Sequence, residues 1–409
     1  MKLRELSESA KKQETVALGN IRILDLTRVL AGPFCTMMMA DLGAEVIKIE
    51  IPRKGDDTRG YLPFIGSESA YFMNINRNKK SLELNLKNPK GKKIFFELAK
   101  QSDIVIENFK PGTMDRLGLG YENLREVNKG IIYGCISGFG HYGPYRDRPG
   151  YDLIGQAMGG MMSVTGWPGS PPTRTGTAIA DILAGQSLAF GILAALHSKI
   201  KTGEGQKVDI SLVDSVVAAM ETINQIYIVE KRIPGRVGNR YEFFYPYDSF
   251  KSKDGWFVFA VGNDQMWKRF CNCMGNDNLY VDNRFKSVDL RVKNHQKLKN
   301  IIEKWSITKK TENLVNILLE KKIPAGPIYS VDQVVNDKHI ATAREMFVEV
   351  EHPKAGKTKI TGSHLRLSKD KPIIKRPAPL LGEHTEVIFK ELLDYTDEEI
   401  LKLKEENVI

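Results

Sequence analysis

The sequence contains few cysteines, and their spacing excludes two common structural roles. The chain has 409 residues and four cysteines, Cys35, Cys135, Cys271 and Cys273. Apart from one C-x-C pair they are widely scattered, which fits neither the disulfide framework of a secreted domain nor a zinc site. The pattern is typical of a reducing compartment. We therefore expect a cytoplasmic location and no bound metal.

Long hydrophobic runs and nucleic-acid signatures are also missing. No apolar run approaches the length of a membrane span, and no basic tract is interleaved with aromatic residues. Residues 1–18 form a polar N-terminal extension, in which Glu5, Glu8 and Glu14 argue against a secretory signal. We expect neither a membrane nor nucleic acid as a partner. The net charge of +10 instead suits a small anionic ligand.

The pattern of apolar segments predicts an α/β protein with more than one domain. From Ile21 the chain reads as strand, helix and strand, with Gly32-Pro33 starting the helix, which indicates a parallel sheet covered by helices. Similar alternation predicts a large α/β domain over 19–234. Aromatic strands around the turn Asp254-Gly255, followed by helices, predict a smaller α+β domain over 235–330. Residues 331–409 read as a connector whose last part, 355–409, returns to complete the large domain.

Two loops in the predicted large domain follow strands, where open parallel sheets place ligands. The first, from Arg28 to Gly32, lacks the spacing G-x-G-x-x-G, so we expect no nicotinamide or flavin cofactor. The second carries an amide, an aromatic ring, an ammonium and a guanidinium, a set that can hold a nucleotide through its base and phosphates; these are Asn108, Phe109, Lys110 and Arg116. By contrast, Lys79, Lys80 and Lys87 are expected to be exposed solubility charges.

A carboxylate precedes the most apolar helix of the sequence. Asp181 lies in the first turn of a segment that is almost uncharged from Ile182 to Leu196. The helix N-terminus favours an ionised side chain there, and Gly185 leaves room beside it for a bulky group. Two roles remain open at this point, a helix cap and a catalytic carboxylate.

Several strings spread over nearly the whole chain resemble the class III CoA-transferases, the family of formyl-CoA and carnitine CoA-transferases. They are DLTRVLAGPF, DLGAEVIKIE, IENFKPG, the GYD of Gly150 to Asp152, AIADILAG, KTGEGQKVDISL, IPAGPI and APLLGEHT. The resemblance implies a Rossmann-like large domain, a small domain and ring-shaped subunits threaded into an interlocked homodimer. It implies that Asp181 is the nucleophile and that CoA is a substrate, with no further cofactor. The residues it implies for the CoA and acyl sites are Leu30, Ala31, Leu84, Lys87, Asn108, Phe109, Lys110, Arg116, Tyr151 and Asp152.

The same fold also includes α-methylacyl-CoA racemases, which are the alternative reading. They carry a histidine where this chain has Tyr151. Racemisation needs two groups that exchange protons near working pH, whereas an ordinary tyrosine titrates near about 10. The sequence therefore favours acyl transfer.

Other positions bear on the substrate. The strings GDDTRG and NRNKKS resemble members that use short dicarboxylates such as succinate and glutarate, and Arg59 is a candidate for binding a distal carboxylate, with an ordinary surface arginine as the alternative. Where formyl-CoA transferase has an arginine for adenine, this chain has Ile51, and Arg53 is the expected substitute. Only the sparse GRVGN of 235–239 replaces the family's glycine-rich loop.

Overall fold

The structure, a computed structural model, describes residues 16–409. The predicted N-terminal extension therefore lies outside the described residues except for its last three. The described chain divides into two compact units. The first comprises residues up to 160 together with 176–221 and 338–409, and the second comprises 161–175 and 222–337. The predicted small domain covers 235–330, whereas the second unit also contains 161–175, 222–234 and 331–337.

The strands are short. In chain order they are β1 Arg22–Asp25, β2 Glu45–Glu50, β3 Phe64–Ile65, β4 Glu68–Ser69, β5 Lys80–Glu83, β6 Ile104–Glu107, β7 Ile132–Ser137, β8 Lys207–Ser211, β9 Tyr247–Lys251, β10 Trp256–Ala260, β11 Ala325–Pro327, β12 Phe347–His352 and β13 Gly356–Thr361.

The helices range from single turns to one long rod. They are α1 Ala31–Asp41, α2 Ala70–Ile75, α3 Pro89–Lys100, α4 Thr113–Leu117, α5 Tyr121–Val127, α6 Asp152–Met158, α7 Met161–Val164, α8 Ile179–Thr202, α9 Leu212–Ala219, α10 Glu221–Glu230, α11 Asp264–Cys273, α12 Asn278–Val281, α13 Val288–Lys293, α14 His295–Ser306, α15 Thr311–Glu320, α16 Val331–Asn336, α17 Thr385–Leu393 and α18 Asp397–Glu405. A 3-10 turn at Asp57–Gly60 and a π-helical turn at Lys338–Ala343 complete the set.

The first unit is built on a six-stranded sheet in the order β5-β2-β1-β6-β7-β8. Every neighbouring pair in it is parallel, which confirms the predicted sheet. The chain winds outward from β1 in one direction and from β6 in the other, so the loops after these two strands separate and leave a crevice at their carboxyl ends. Open α/β sheets bind ligands at this point. The C-terminal helices α17 and α18 add Phe389 and Leu403 to the core of this unit.

The second unit contains a three-stranded sheet in the order β11-β10-β9, with both pairs antiparallel. Strands β9 and β10 form the predicted hairpin around Asp254-Gly255. Aromatic side chains of this sheet pack against α11: the rings of Phe259, in β10, and Phe270, in α11, have centroids 4.7 Å apart. The unit is therefore of the predicted α+β kind.

Helix α8 corrects one expectation from the sequence. Its 24 residues are long and apolar enough to cross a membrane by length and composition, although the core helix of a soluble protein passes the same test. In the sequence, Asp181 and a few polar residues interrupt the apolar run of this helix, although its mean hydropathy stays high. One face is buried, including Leu188 and Ile192, whereas Phe190 and Ile200 remain 77% and 83% exposed in the chain.

Buried ion pairs hold the sheet beneath the crevice. Lys79, expected on the surface, is fully buried, and its ammonium lies 3.1 Å from Asp25 Oδ2. Burial acts to raise the pKa of Asp25, but the charges of Lys79 and Lys48 outweigh it and the pKa is lowered. Lys80 is half-buried and pairs with Glu45, whereas Lys87 is exposed as expected. The error for Lys79 arose because a lysine next to other lysines reads as surface unless its buried partner is known.

Removal of the Lys79 charge should destabilise the fold. Lys79→Met leaves Asp25 buried without its partner, and breaking a buried pair in this way costs about 3–5 kcal/mol. Urea unfolding should show a loss of this size, while Lys93→Met, at an exposed position of α3, should change little. Equal effects of the two substitutions would contradict the assignment of a structural role to the buried pair.

Candidate active site

A large cavity of the first unit lies at the carboxyl ends of β1, β6 and β7. Its volume is about 480 Å³. Most of the predicted site residues line it, and they come from separate stretches of the chain: Leu30, Ala31, Asn108, Phe109, Lys110, Tyr151 and Asp181. The sheet topology thus brings together residues that are up to about 150 positions apart in the sequence.

Asp181 is not the cap of its helix. Residue Ala178 occupies the N-cap position without a side-chain bond, and the N–H of Ala180 donates instead to Asp152 Oδ1 at 2.8 Å. A carboxylate from α6 therefore performs the capping role that the sequence left open for Asp181. The Asp181 side chain is left facing the cavity.

Burial dominates the electrostatics of Asp181. Burial and, to a smaller extent, the nearby charge of Asp152 together raise the pKa of this carboxyl to about 7. The sequence analysis expected the helix N-terminus to favour the anion, but loss of hydration is the larger effect here. A carboxylate that is poorly solvated is also a stronger nucleophile than one in water.

Gly185 sets the distance between α8 and α1. A Cβ atom built on Gly185 would lie 2.6 Å from the carbonyl oxygen of Ala31. The space that the sequence analysis assigned to a bulky group is therefore filled by the backbone of α1. This close approach places Leu30 and Ala31 at the same cavity wall as Asp181.

The loop after β1 is held in a strained conformation. Val29 has a φ of 67°, which a β-branched residue rarely adopts. Its N–H donates to Asp56 Oδ1 at 3.3 Å, and the other oxygen of Asp56 lies 2.8 Å from the buried ammonium of Lys48. Strain of this kind persists where surrounding contacts impose it, and it is concentrated at functional sites.

Asn108 links the two sides of the crevice. Its Oδ1 accepts from the N–H of Arg28 at 2.9 Å, and its Nδ2 donates to the Arg28 carbonyl at 2.7 Å. The amide thus joins the loops after β1 and β6. A second cavity of about 280 Å³ adjoins this junction, shares Arg28 and Phe109 with the first, and is lined by Leu84 and Lys87.

The remaining predicted residues lie outside both cavity linings. The Arg59 guanidinium donates two hydrogen bonds to Glu50, at 2.8 and 2.6 Å, and lies 3.8 Å from the centre of the Phe72 ring. Arg116 is exposed and donates to Thr113, and Asp152 holds the start of α8.

The structure also locates the positions where the sequence differs from formyl-CoA transferase, namely Ile51 with its expected substitute Arg53, and the loop 235–239. Ile51 lines the smaller cavity. Arg53, its expected substitute, donates to Asn407 and does not line that cavity. The loop 235–239 belongs to the second unit.

Sequence reasoning missed three features of the larger cavity. Arg148 lines it and stacks over Tyr145, with 3.7 Å between the guanidinium carbon and the ring centre. The hydroxyl of Ser137 is buried there without a hydrogen-bond partner among the described residues.

The third feature is the loop after β7. Residues 138–143 have the spacing G-x-G-x-x-G, but the next helix begins only at Asp152, so this loop lacks the helix N-terminus of a dinucleotide site. The glycines instead allow a backbone crossing, since a Cβ on Gly138 would lie 2.7 Å from the Cα of Gly150.

Comparison with known proteins gives the family. The family described as CoA-transferase family III matches residues 18–385. The chain belongs to this family. It is 40% identical over 393 residues to succinyl-CoA:glutarate CoA-transferase from Homo sapiens, covering 96% of this chain and 90% of the human protein. It is also 40% identical to succinyl-CoA:mesaconate CoA-transferase from Haloarcula hispanica, covering 92% and 96% of the two chains.

The fold agrees with that assignment. A crystal structure of a CAIB/BAIF family protein from Brucella suis superimposes with a TM-score of 0.83 at 35% identity, covering 92% of this chain and 99% of that one. The protein is thus a CoA-transferase, as the sequence motifs implied, and the racemase alternative is set aside because these relatives are named as CoA-transferases.

A larger residue at position 185 should displace the wall of the cavity. Gly185→Val forces side-chain atoms against the Ala31 carbonyl, an overpacking that costs about 1–3 kcal/mol and moves Leu30 and Ala31. Thermal unfolding should show a lower Tm and steady-state assays a lower kcat. Ser187→Val, exposed on the same helix, is the matched control. Indistinguishable behaviour of the two variants would rule out the close approach as a determinant of the site.

Proposed function

We propose that this CoA-transferase moves CoA from a succinyl-CoA-type donor to a short dicarboxylic acid such as glutarate, through covalent intermediates on Asp181. The observation that carries the proposal is the Asp181 carboxyl, half-buried at the start of α8 on the wall of the larger cavity, with its pKa raised to about 7. The names of the relatives support the class of acids, since they join succinyl-CoA to glutarate or mesaconate.

The first half of the reaction transfers CoA to the enzyme. An Asp181 oxygen attacks the thioester carbonyl carbon, the C–S bond breaks, and an aspartyl-acyl anhydride forms with free CoA thiolate. The thiolate then attacks the Asp181 carbonyl carbon of the anhydride. The donor acid leaves as its carboxylate, and an aspartyl-CoA thioester remains.

The second half repeats these steps with the acceptor. Its carboxylate attacks the aspartyl thioester to give a new anhydride and CoA thiolate. The thiolate then attacks the acceptor's acyl carbon, which releases the new acyl-CoA and the Asp181 carboxylate. Charge develops on an oxygen in each step, and two groups at the cavity support its stabilisation: the unpaired N–H groups at the start of α1, and the Ser137 hydroxyl.

The charges of the cavity suit a polyanionic pair of substrates. Lys110 and Arg148 line it, and neither forms an ion pair with a carboxylate within the part of the chain that the structure describes. They are therefore better placed than Arg59, which Glu50 already engages, to meet a phosphate of CoA or the distal carboxylate of the acid.

We also propose the interlocked homodimer and the cytoplasmic location that the sequence analysis expected. The exposed apolar side chains Phe190 and Ile200 on α8 support the burial of this helix face against a second subunit.

The cysteines support the proposed location. All four are free thiols, which is consistent with a reducing compartment.

Incubation with donor alone should trap the enzyme-bound thioester. Intact-mass spectrometry of protein mixed with succinyl-CoA should show the added mass of CoA minus one water, and peptide mapping should place it on Asp181. Asp181→Asn should keep its fold by circular dichroism, lose nearly all turnover and show no adduct. An adduct of normal yield in Asp181→Asn, or its absence from an enzyme that turns over the same donor, would refute the covalent route.

The pH dependence of kcat/KM should report the ionisation of Asp181. Because its pKa is raised to about 7, the carboxyl is protonated and unreactive at lower pH. The rate should fall about tenfold per pH unit well below the pKa and level off above it. Asp152→Asn removes a neighbouring charge that raises this pKa, so the acid limb should move to lower pH. An unshifted limb in this variant would show that another group controls the profile.

A further inference from the structure

Three potential metal ligands meet in the first unit, away from the Asp181 cavity. Glu107 ends β6, Cys135 lies within β7, and His141 follows in the loop after it. One ligand atom from each lies within 4.8 Å of those of the other two. Glu107 and His141 also line a separate cavity of about 130 Å³, which includes none of the residues around Asp181.

The histidine of this cluster is buried with a free ring nitrogen. The His141 side chain is only 10% exposed, and its Nε2 has no hydrogen-bond partner among the described residues. This atom points toward Glu107, at 3.6 Å from Oε1, a distance too long for a hydrogen bond. Buried polar atoms almost always have a partner, which makes this nitrogen a candidate metal ligand.

The surroundings are short of positive charge. Glu107 is buried, and no lysine or arginine of the described chain forms an ion pair with it. Its Oε1 accepts from the Tyr133 hydroxyl at 3.1 Å, which leaves the second lone pair of this oxygen for a metal. The small cavity is lined by three carboxylates, those of Glu107, Asp115 and Glu122, and by a single ammonium, that of Lys207. A divalent cation would offset this excess of negative charge.

We propose that Glu107, Cys135 and His141 bind one transition-metal ion, with Zn²⁺ the best fit. Carboxylate oxygen, thiolate sulfur and imidazole nitrogen are the ligands that zinc takes in proteins. Zinc–ligand bonds of ordinary length place tetrahedral ligands about 3.4–3.8 Å apart. The spacing of 3.6 Å between Glu107 and His141 lies in this range, and the Cys135 sulfur lies within 4.8 Å of both ligand atoms. A water in the cavity can supply the fourth ligand.

Binding requires two proton rearrangements. The Cys135 thiol lies 3.5 Å from the Val208 carbonyl oxygen, and its proton is released to solvent when the sulfur becomes a metal ligand. Lys207 Nζ lies 3.0 Å from His141 Nδ1, so the ring proton resides on Nε2. Coordination moves that proton to Nδ1, and the Lys207 ammonium, on an exposed residue, turns into solvent. Lys207 therefore competes with the metal.

The site would brace the loop that the sequence analysis assigned to nucleotide binding. The second oxygen of Glu107 accepts from the N–H of Phe109 at 2.7 Å. A metal on Oε1 would fix the orientation of this carboxylate, and with it the turn that begins at Asn108. The metal is thus placed as a structural ion, separate from the chemistry at Asp181.

Cobalt titration of the full-length protein tests the proposal. After treatment with a chelator, Co²⁺ should bind one equivalent per chain and give the near-ultraviolet absorption of a thiolate–cobalt bond, and Zn²⁺ should displace it. Cys135→Ser should abolish the band. His141→Gln, which keeps the thiol, should weaken binding at least about tenfold. Lys207→Gln should strengthen it.

Two thiol variants act as controls. Cys271→Ser and Cys273→Ser, both in the second unit, should leave the titration unchanged, and circular dichroism should show that each variant is folded. Absence of the thiolate band, or a band that survives Cys135→Ser and disappears with Cys273→Ser, would overturn the proposal. If Cys135→Ser does not fold, an affinity unchanged by both His141→Gln and Lys207→Gln would overturn it equally.

Discussion

The partial burial of one carboxyl group, that of Asp181, is the constraint on which the proposed chemistry of the site depends. The attack of Asp181 on a thioester that we propose requires the loss of much of its hydration, and burial favours this while a second carboxylate, Asp152, lies close by. The start of α8 is capped by Asp152, which accepts from the N–H of Ala180, so Asp181 does not have the capping role. Asp152 therefore caps the helix through the N–H of Ala180, while Asp181 lines the cavity.

The loops around Asp181 are fixed from below by buried polar contacts. Lys48 holds Asp56, which accepts from the strained residue Val29, and Asn108 ties the loop after β6 to Arg28. These contacts connect four separate stretches of sequence at the point where the sheet changes its winding direction. Groups in such a crevice are already ordered before substrate arrives, and pre-ordering reduces the entropy lost on binding.

Sequence patterns were sufficient for the parallel sheet, the hairpin of the second unit and the family, because each depends on local periodicity or on a series of motifs. The nucleophilic role of Asp181 stays a prediction, which its place on the cavity wall supports. They failed where a residue's role depends on a distant partner. Lys79 reads as surface until Asp25 is placed beside it, and Arg59 reads as a free guanidinium until Glu50 is seen to bind it. Likewise, Cys135 and His141 have no metal-site spacing in sequence, and only the pairing of β6 with β7 brings Glu107 next to them.

The crossing of Gly138 and Gly150 restricts how this site can change during evolution. Each glycine excludes a side chain on the other, since a Cβ on Gly150 would lie 2.5 Å from the Cα of Gly138. A single substitution at either position therefore pushes apart two backbones, one leading from β7 and the other into Tyr151 and Asp152. Diversification of acid preference within this scaffold must consequently proceed through neighbouring side chains such as Arg148, while the path of the main chain stays the same.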